Sequence, residues 1–303
     1  MATIVGSTYE RAPLVLNLER ASGSEQKWVL GSTWCNLGLW PAGEQAARAT
    51  TFQQACAALA HELGKAAGLS ERADKVLDVG VGYGDQTATW VSRFGVRRVL
   101  ALEPSATHVA AARAAQVKGR IPEAVDLRLG SAEEIDAALG AAGDEPSSFD
   151  AVVCLDCAYH FRSRSRFLLA AGRALRPGGR FAAVDLVSGP LAVRPTSGLS
   201  ALWRSGARRA VAALCSIPPA NLHGLDEYDS ALDAAGLRRD TIERITPRVL
   251  APFAEHATRQ RLRLGASATF AQALFLRLIA ALFAFVARHE LFEVVVVCAT
   301  RRE

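Results

Sequence analysis

The sequence predicts an α/β fold, a seven-stranded, mostly parallel sheet with helices on both faces. Three observations carry this reading. Short β-branched runs alternate with alanine-rich helical stretches from Lys75 to Leu186, and the first run ends in glycines that open a helix. Two further strand-length runs, Thr241–Ile245 and Phe292–Ala299, follow near the C-terminus.

Taken in order, residues from Met1 to about Ser24 show no strong periodicity and precede an aromatic-rich stretch, Trp28 to Trp40. This segment, residues 1–49, reads as an N-terminal lid. Phe52, Cys56, Leu59, Ala60 and Leu63 then recur at helical spacing, and Gly64 and Gly68 punctuate the end of a helix over Thr50–Gly68. Paired strands and helices follow: Lys75–Val79 with Asp85–Phe94, Arg98–Leu102 with Ala106–Gln116, Asp126–Leu129 with Ala132–Leu139, and Ala151–Leu155 with Ser163–Leu175. A fifth strand, Arg180–Leu186, completes this series.

After Asp185 the pattern breaks into Gly, Pro and Ser, then into a helix at Leu199–Leu214. This is an inserted helical segment, about 188–225, and the natural place for ligand specificity. The helix Asp226–Ala235 and a long apolar helix, Phe270–Ala287, accompany the last two strands. Residues 50–303 therefore read as one domain carrying an insertion.

An apolar share of 50% and a charged share of 21% allow a sizeable core and exclude compositional disorder. The net charge of +5 comes from arginines spread along the chain, such as Arg208-Arg209, Arg238-Arg239 and Arg301-Arg302, which describes a solvated surface. No nucleic-acid partner is expected. The six cysteines show no disulfide-framework spacing and the N-terminus lacks a secretory pattern, so a reducing, cytoplasmic setting is expected. Cys154 and Cys157 form a C-x-x-C at the end of a buried strand with no second ligand pair, so no metal site is expected.

The run V-L-D-V-G-V-G-Y-G-D-Q-T, Val76 to Thr87, is a strand that ends in glycines and opens a helix. Glycines at 80, 82 and 84 let the backbone turn sharply and approach a ligand, and the new helix presents unpaired N–H groups at its start. The spacing is G-x-G-x-G, where dinucleotide sites carry G-x-G-x-x-G, which favours a nucleoside without pyrophosphate. Glu103, at the end of the second strand, stands where a carboxylate accepts both hydroxyls of a ribose.

These motifs resemble those of the class I S-adenosylmethionine-dependent methyltransferases, over roughly Trp34 to Leu186, and imply their Rossmann-like sheet. Asp78, Gly80, Gly82 and Gly84, with Gln86 following, look like the family's first motif, and Glu103 with Pro104 looks like its ribose acid. Gly130–Glu134 resembles the loop bordering adenine, placing Ser131, Ala132 and Glu133 there; the usual Asp is replaced by Ser131. F-D-A-V-V-C-L-D from Phe149 resembles the fourth strand, with Leu155 and Asp156 at its tip, and L-R-P-G-G-R-F from Leu175 resembles the turn that follows the next helix. N-L-G-L-W at Asn36–Trp40 and G-D-Q at Gly84–Gln86 are most similar to tocopherol, sugar-O- and coclaurine-N-methyltransferases. The resemblance implies S-adenosyl-L-methionine as cofactor and S-adenosyl-L-homocysteine as product.

Methyl transfer is an in-line displacement, so the protein has to align the acceptor and exclude water. Directly after the fourth strand, Asp156, Tyr159 and His160 stand at the carboxyl edge of the sheet. His160 is the candidate base, because its ordinary pKa lies near neutrality. Asp185 ends the fifth strand where similar sugar-O-methyltransferases carry an acid that partners such a histidine. The alternative is that His160 caps or packs and Asp185 forms a turn. Trp34, Asn36 and Trp40, with His160, are candidate acceptor contacts, the aromatics shielding the sulfonium by cation–π contact or simply packing.

Phe270–Ala287 is nearly all apolar, with Arg277 at its centre, and is shorter than the ~20 residues expected of a membrane span. Three readings stay open: a buried helix flanking the sheet, a dimer surface, or an interfacial segment giving peripheral membrane access to a lipophilic acceptor. The expected partner is a small-molecule acceptor, methylated on a hydroxyl oxygen or, alternatively, on an amine; a non-catalytic cofactor-binding protein is the reading from another class. The chain is expected to be a monomer or homodimer.

Overall fold

The computed structural model describes residues 15–21, 28–189 and 199–303. Parts of the expected lid, residues 1–14 and 22–27, and of the expected insertion, 190–198, lie outside the described residues. By their contacts the described residues form two units. One holds those up to Leu59 together with Thr246–His289, and the other holds Ala60–Ile245 with Glu290–Glu303.

The larger unit contains all seven expected strands. They are β3 (Lys75–Val79), β4 (Arg98–Glu103), β5 (Val125–Leu129), β6 (Phe149–Leu155), β7 (Leu175–Ser188), β8 (Leu237–Arg244) and β9 (Phe292–Arg301), in the order β5-β4-β3-β6-β7-β9-β8. The first five strands in sequence pair parallel, and β9 runs antiparallel between β7 and β8. This is the Rossmann-like, mostly parallel sheet that the sequence predicts. Strands covered on both faces must be apolar along their length, which is why β6 and β9 read as nearly continuous Val, Ala, Leu and Cys.

Ahead of β3 comes the short α3 (Leu69–Arg72), and between the strands lie α4 (Asp85–Phe94), α5 (Ala106–Val117), α6 (Ile135–Ala142), α7 (Arg164–Ala174), α8 (Leu199–Leu214) and α9 (Leu225–Ala234). Their buried faces close a core that includes Leu77, Val152, Phe167, Phe181, Leu232 and Val295. The strand order reverses between β3 and β6, and in open α/β sheets ligands bind outside the carboxyl ends of the strands at such a switch point.

The smaller unit begins with a hairpin of β1 (Leu18–Arg20) and β2 (Trp28–Leu30), with Leu18 opposite Leu30. It continues through α1 (Glu44–Ala49) into α2 (Phe52–Ala66), a helix within which the division between units falls. Its core is α10 (Leu250–Leu264), whose Phe253 meets Phe283 of α11 (Phe270–Arg288) edge-on at 4.8 Å. Of the three readings open for the long apolar helix, a buried helix flanking the sheet is not what the structure shows. In α11 only Leu276, Ala280 and Val286 are buried, while Phe270, Leu274 and Leu278 stand exposed one turn apart. Its 19 residues are long and apolar enough to cross a membrane by length and composition alone.

Candidate active site

The glycine-rich turn after β3 is held by the neighbouring strand. The amides of Gly80 and Val81 donate to the Leu102 carbonyl at 2.8 and 3.3 Å, and Gly80, Gly82 and Gly84 all have positive φ, at 79°, 56° and 89°. A Cβ on Gly80 would stand 2.4 Å from Cys157 Sγ, and one on Gly84 would stand 2.5 Å from Ile121 Cδ1. No residue but glycine suits either position, and the backbone is left bare toward the sheet edge.

Glu103, at the tip of β4, locks onto this turn. Its Oε2 accepts the Gly82 amide at 2.8 Å, and its Oε1 accepts the Ser105 amide at 3.0 Å and faces His108 Nδ1 at 3.2 Å. A carboxylate has about four acceptor positions, so one remains on Oε2 for a ribose hydroxyl. The bare glycine turn, the fixed carboxylate and the N-terminus of α4 suit an adenosyl group. Pro104 follows, exposed on the rim.

Asp78 and Gln86 support the turn from beneath. Asp78 is fully buried, and its two oxygens accept Gln86 Nε2 at 2.8 Å and Trp90 Nε1 at 2.7 Å, so both are engaged within the fold. Burial pushes its pKa up to about 7, against the pull of those two hydrogen bonds. In the loop expected to border adenine, Ser131 Oγ donates to Glu134 Oε2 at 2.9 Å, Ala132 is buried, and Glu133 Oε1 accepts the Ser163 amide at 3.4 Å where α7 begins. Leu155 is buried at the end of β6.

Beyond β6 the chain turns sharply. Asp156 takes φ 56° while its amide donates to the Val184 carbonyl at 2.9 Å, and its Oδ1 accepts the Tyr159 hydroxyl at 3.0 Å. The Tyr159 and His160 rings lie tilted against each other with centroids 4.3 Å apart, and His160 Nδ1 lies 3.5 Å from the Ser216 carbonyl. Burial lowers the His160 pKa to about 4, so the imidazole is neutral at physiological pH. The sulfurs of Cys154 and Cys157 are 3.1 Å apart; burial raises the pKa of the Cys154 thiol, and the hydrogen bond with Cys154, together with burial, raises that of Cys157.

The expected pairing of His160 with Asp185 is corrected by the structure. Asp185 is fully buried and spends its carboxylate on Arg164, with Oδ2 2.8 Å from Nε and Oδ1 3.3 Å from Nη2, and on the Leu186 amide at 2.8 Å. A buried carboxylate needs a fixed cation and aligned donors, and Arg164, itself buried, supplies them.

Trp34, Asn36 and Trp40 belong to the smaller unit and are buried in it. Asn36 Nδ2 donates to the Cys56 carbonyl at 3.3 Å, and its Oδ1 accepts the Gly38 amide at 2.9 Å. The Trp40 indole donates to the Leu37 carbonyl at 3.1 Å and packs tilted against His256, with centroids 5.3 Å apart. The polar atoms of Asn36 and Trp40 thus serve their own unit.

Sequence reasoning missed three contributors. His108 has a readable signal, lying one helical turn into the helix that follows the Glu103 strand tip, where it faces back toward the carboxylate. Arg164 and Asn221 have none, because they meet only in the fold: Asn221 Oδ1 accepts the Arg164 amide at 2.9 Å across 57 residues of chain.

Comparison with known proteins places these motifs. Residues 77–183 match the methyltransferase domain family. The erythromycin 3''-O-methyltransferase of Saccharopolyspora erythraea is 28% identical over 227 residues, covering 75% of this chain and 69% of that protein. The geranyl diphosphate C-methyltransferase of Streptomyces coelicolor A3(2), solved with Mg2+, geranyl diphosphate and S-adenosyl-L-homocysteine, superposes with a TM-score of 0.66 at 18% identity, covering 97% of each chain. The [4+2]-cyclase SpnF superposes with a TM-score of 0.66 at 20% identity, covering 98% of this chain and 96% of that one. At such identities a superposition shows the fold alone, and the cyclase shows that this fold hosts other chemistry. The family match falls on the very strands and turns described above, and with the curated relative it supports a class I S-adenosylmethionine-dependent methyltransferase.

Proposed function

We propose that the chain methylates a hydroxyl oxygen of a hydroxylated small molecule, with a sugar hydroxyl as the first candidate. The observation that carries this is the similarity to a 3''-O-methyltransferase, which runs well beyond the matched residues 77–183 into segments outside the cofactor motifs. When bound, S-adenosylmethionine supplies an electrophilic methyl on sulfur and leaves as S-adenosylhomocysteine. Glu103 and the Gly80–Gly84 turn hold it; Asp78 and Gln86 keep that turn in shape.

His160 is the proposed proton acceptor. Its burial keeps the imidazole neutral, so it can take the hydroxyl proton as the new O–C bond forms. With a pKa of about 4 it is a weak base, and its contribution falls at the low end of the roughly 100- to 10,000-fold range of general base catalysis. The same low value favours the second reading, N-methylation, because an amine that enters neutral needs less help from a base. The lid role of residues 1–49, acceptor contacts by Trp34, Asn36 and Trp40, peripheral membrane contact by α11 and a cytoplasmic setting belong to this proposal.

The test is an acceptor panel of glycosides with unmethylated sugar hydroxyls, phenols and small amines, scored by release of S-adenosylhomocysteine. Turnover of a glycoside or phenol that drops by at least about tenfold in His160→Gln supports the reading. Turnover confined to amines and indifferent to His160→Gln overturns it.

A further inference from the structure

The turn that carries Tyr159 and His160 is held in place from outside its own sequence. Asn221 Nδ2 donates to the Tyr159 carbonyl at 3.1 Å and to the Phe161 carbonyl at 2.6 Å, the two carbonyls that flank His160. Its Oδ1 accepts the Arg164 amide at 2.9 Å, and its own carbonyl accepts Arg164 Nη1 at 3.1 Å. Arg164 is anchored in turn by Asp185 and by the Leu186 carbonyl, 2.7 Å from Nη2. Asn221, Arg164 and Asp185 are at most 2% exposed.

We infer that Asn221 is a positioning residue for methyl transfer, clamping the Tyr159–Phe161 turn between the fifth strand of the chain's α/β series and the segment inserted after it. Asp185 thus acts on the turn that carries His160 through Arg164 and Asn221 and not as its charge partner. The chemistry of the clamp is specific. It needs two N–H donors and one acceptor on one short side chain, which asparagine alone supplies at this length. Aspartate keeps the acceptor for Arg164 but turns a carboxylate toward two carbonyls; glutamine adds a methylene to a packed site. The inserted segment also meets the imidazole directly at Ser216, whose φ is 55°, so this segment touches the candidate base as well as the turn that carries it.

The inference rests on His160 being at the reacting end, and its test separates the two ideas. In protein labelled at histidine, the His160 imidazole is followed by NMR through a pH titration, its signal assigned by its loss in His160→Gln. Release of the turn in Asn221→Asp exposes the half-buried ring further and adds a carboxylate near it, and both raise its pKa from the region of about 4 by a unit or more toward the ordinary 6.5, while the uncharged Asn221→Ser reports the release alone. Affinity for S-adenosylhomocysteine by calorimetry changes less than about threefold, because the Gly80–Glu103 site is untouched. With an acceptor from the panel, kcat falls about 10- to 100-fold with KM for S-adenosylmethionine unchanged. If Asn221→Asp is insoluble, Asn221→Ser, which retains one donor, gives an intermediate shift. An unchanged His160 titration, or a loss of S-adenosylhomocysteine affinity equal to the loss of turnover, overturns the clamp. Full turnover in His160→Gln together with a loss in Asn221→Asp removes the base and leaves the clamp standing.

Discussion

The carboxylate of Glu103 accepts the Gly82 amide at 2.8 Å, so the candidate ribose acid and the glycine turn form one hydrogen-bonded piece. His108 holds the other oxygen from the first turn of α5, and its ring packs 4.5 Å from Tyr83. Removing that donor in His108→Ala loosens the carboxylate without touching its charge. Calorimetry with S-adenosylhomocysteine is expected to show an affinity loss of about 3- to 10-fold, less than the roughly 1.5–3 kcal/mol of a direct hydrogen bond to a charged group because His108 acts through Glu103. His108→Gln, which retains a donor, recovers part of it.

Gly80 is limited twice over, by φ of 79° and by Cys157 Sγ, 2.4 Å from where a Cβ would stand. Gly80→Ala is expected to cost about 1–3 kcal/mol of stability through backbone strain and to weaken cofactor binding at the same time. Adding Cys157→Ala relieves the clash but not the φ, so thermal unfolding of the double variant recovers only part of the loss.

Asp78 gives the larger unit a pH dependence with a definite sign. Its pKa is 3.8 in the unfolded chain and about 7 in the fold, so the folded state binds its proton more tightly. That contribution is complete below pH 3.8 and is lost as pH rises through 7. Urea unfolding at pH 5 and pH 8 is expected to show wild type losing roughly 2–4 kcal/mol more over this interval than Asp78→Asn, at about 1.4 kcal/mol per pKa unit. An equal pH dependence in the two proteins contradicts the assignment.

His256 works in the opposite direction in the smaller unit. It stacks on Phe52 at 5.0 Å, its Nε2 donates to the Leu16 carbonyl at 3.3 Å, and burial lowers its pKa from 6.5 to about 4. The neutral ring contributes stability above pH 6.5, and this is lost as pH falls toward 4, because the unfolded chain takes up the proton first. Trp40 packs against the same ring and reports the change. Its fluorescence under mild denaturant is expected to shift on acidification in wild type and to stay flat over that range in His256→Phe.

The sheet and the cofactor turn were legible because local chemistry wrote them. Alternating apolar runs mark the strands, and Gly80, Gly82 and Gly84 announce a bend that no other residue tolerates. The helix at Leu250–Leu264 was not read, since its apolar Leu250, Phe253, Ala254 and Ala257 lie among arginines that blur the stripe. The His160–Asp185 pairing failed for a different reason. Strand order puts both residues at the carboxyl edge, but which cation meets a buried carboxylate is settled by packing between segments distant in sequence. Arg164 wins because α7 starts beside the end of β7, and the Asn221 link to it crosses a gap that no spacing rule describes.

The central claim is that the Gly80–Gly84 turn and Glu103 form an adenosyl cradle, and calorimetry with S-adenosylhomocysteine on wild type and Glu103→Ala tests it most directly. Saturable heat in wild type, with affinity at least about tenfold weaker in a folded Glu103→Ala protein, is the result expected of losing hydrogen bonds to a charged acceptor. No heat in wild type, or equal affinity in the variant, contradicts the account.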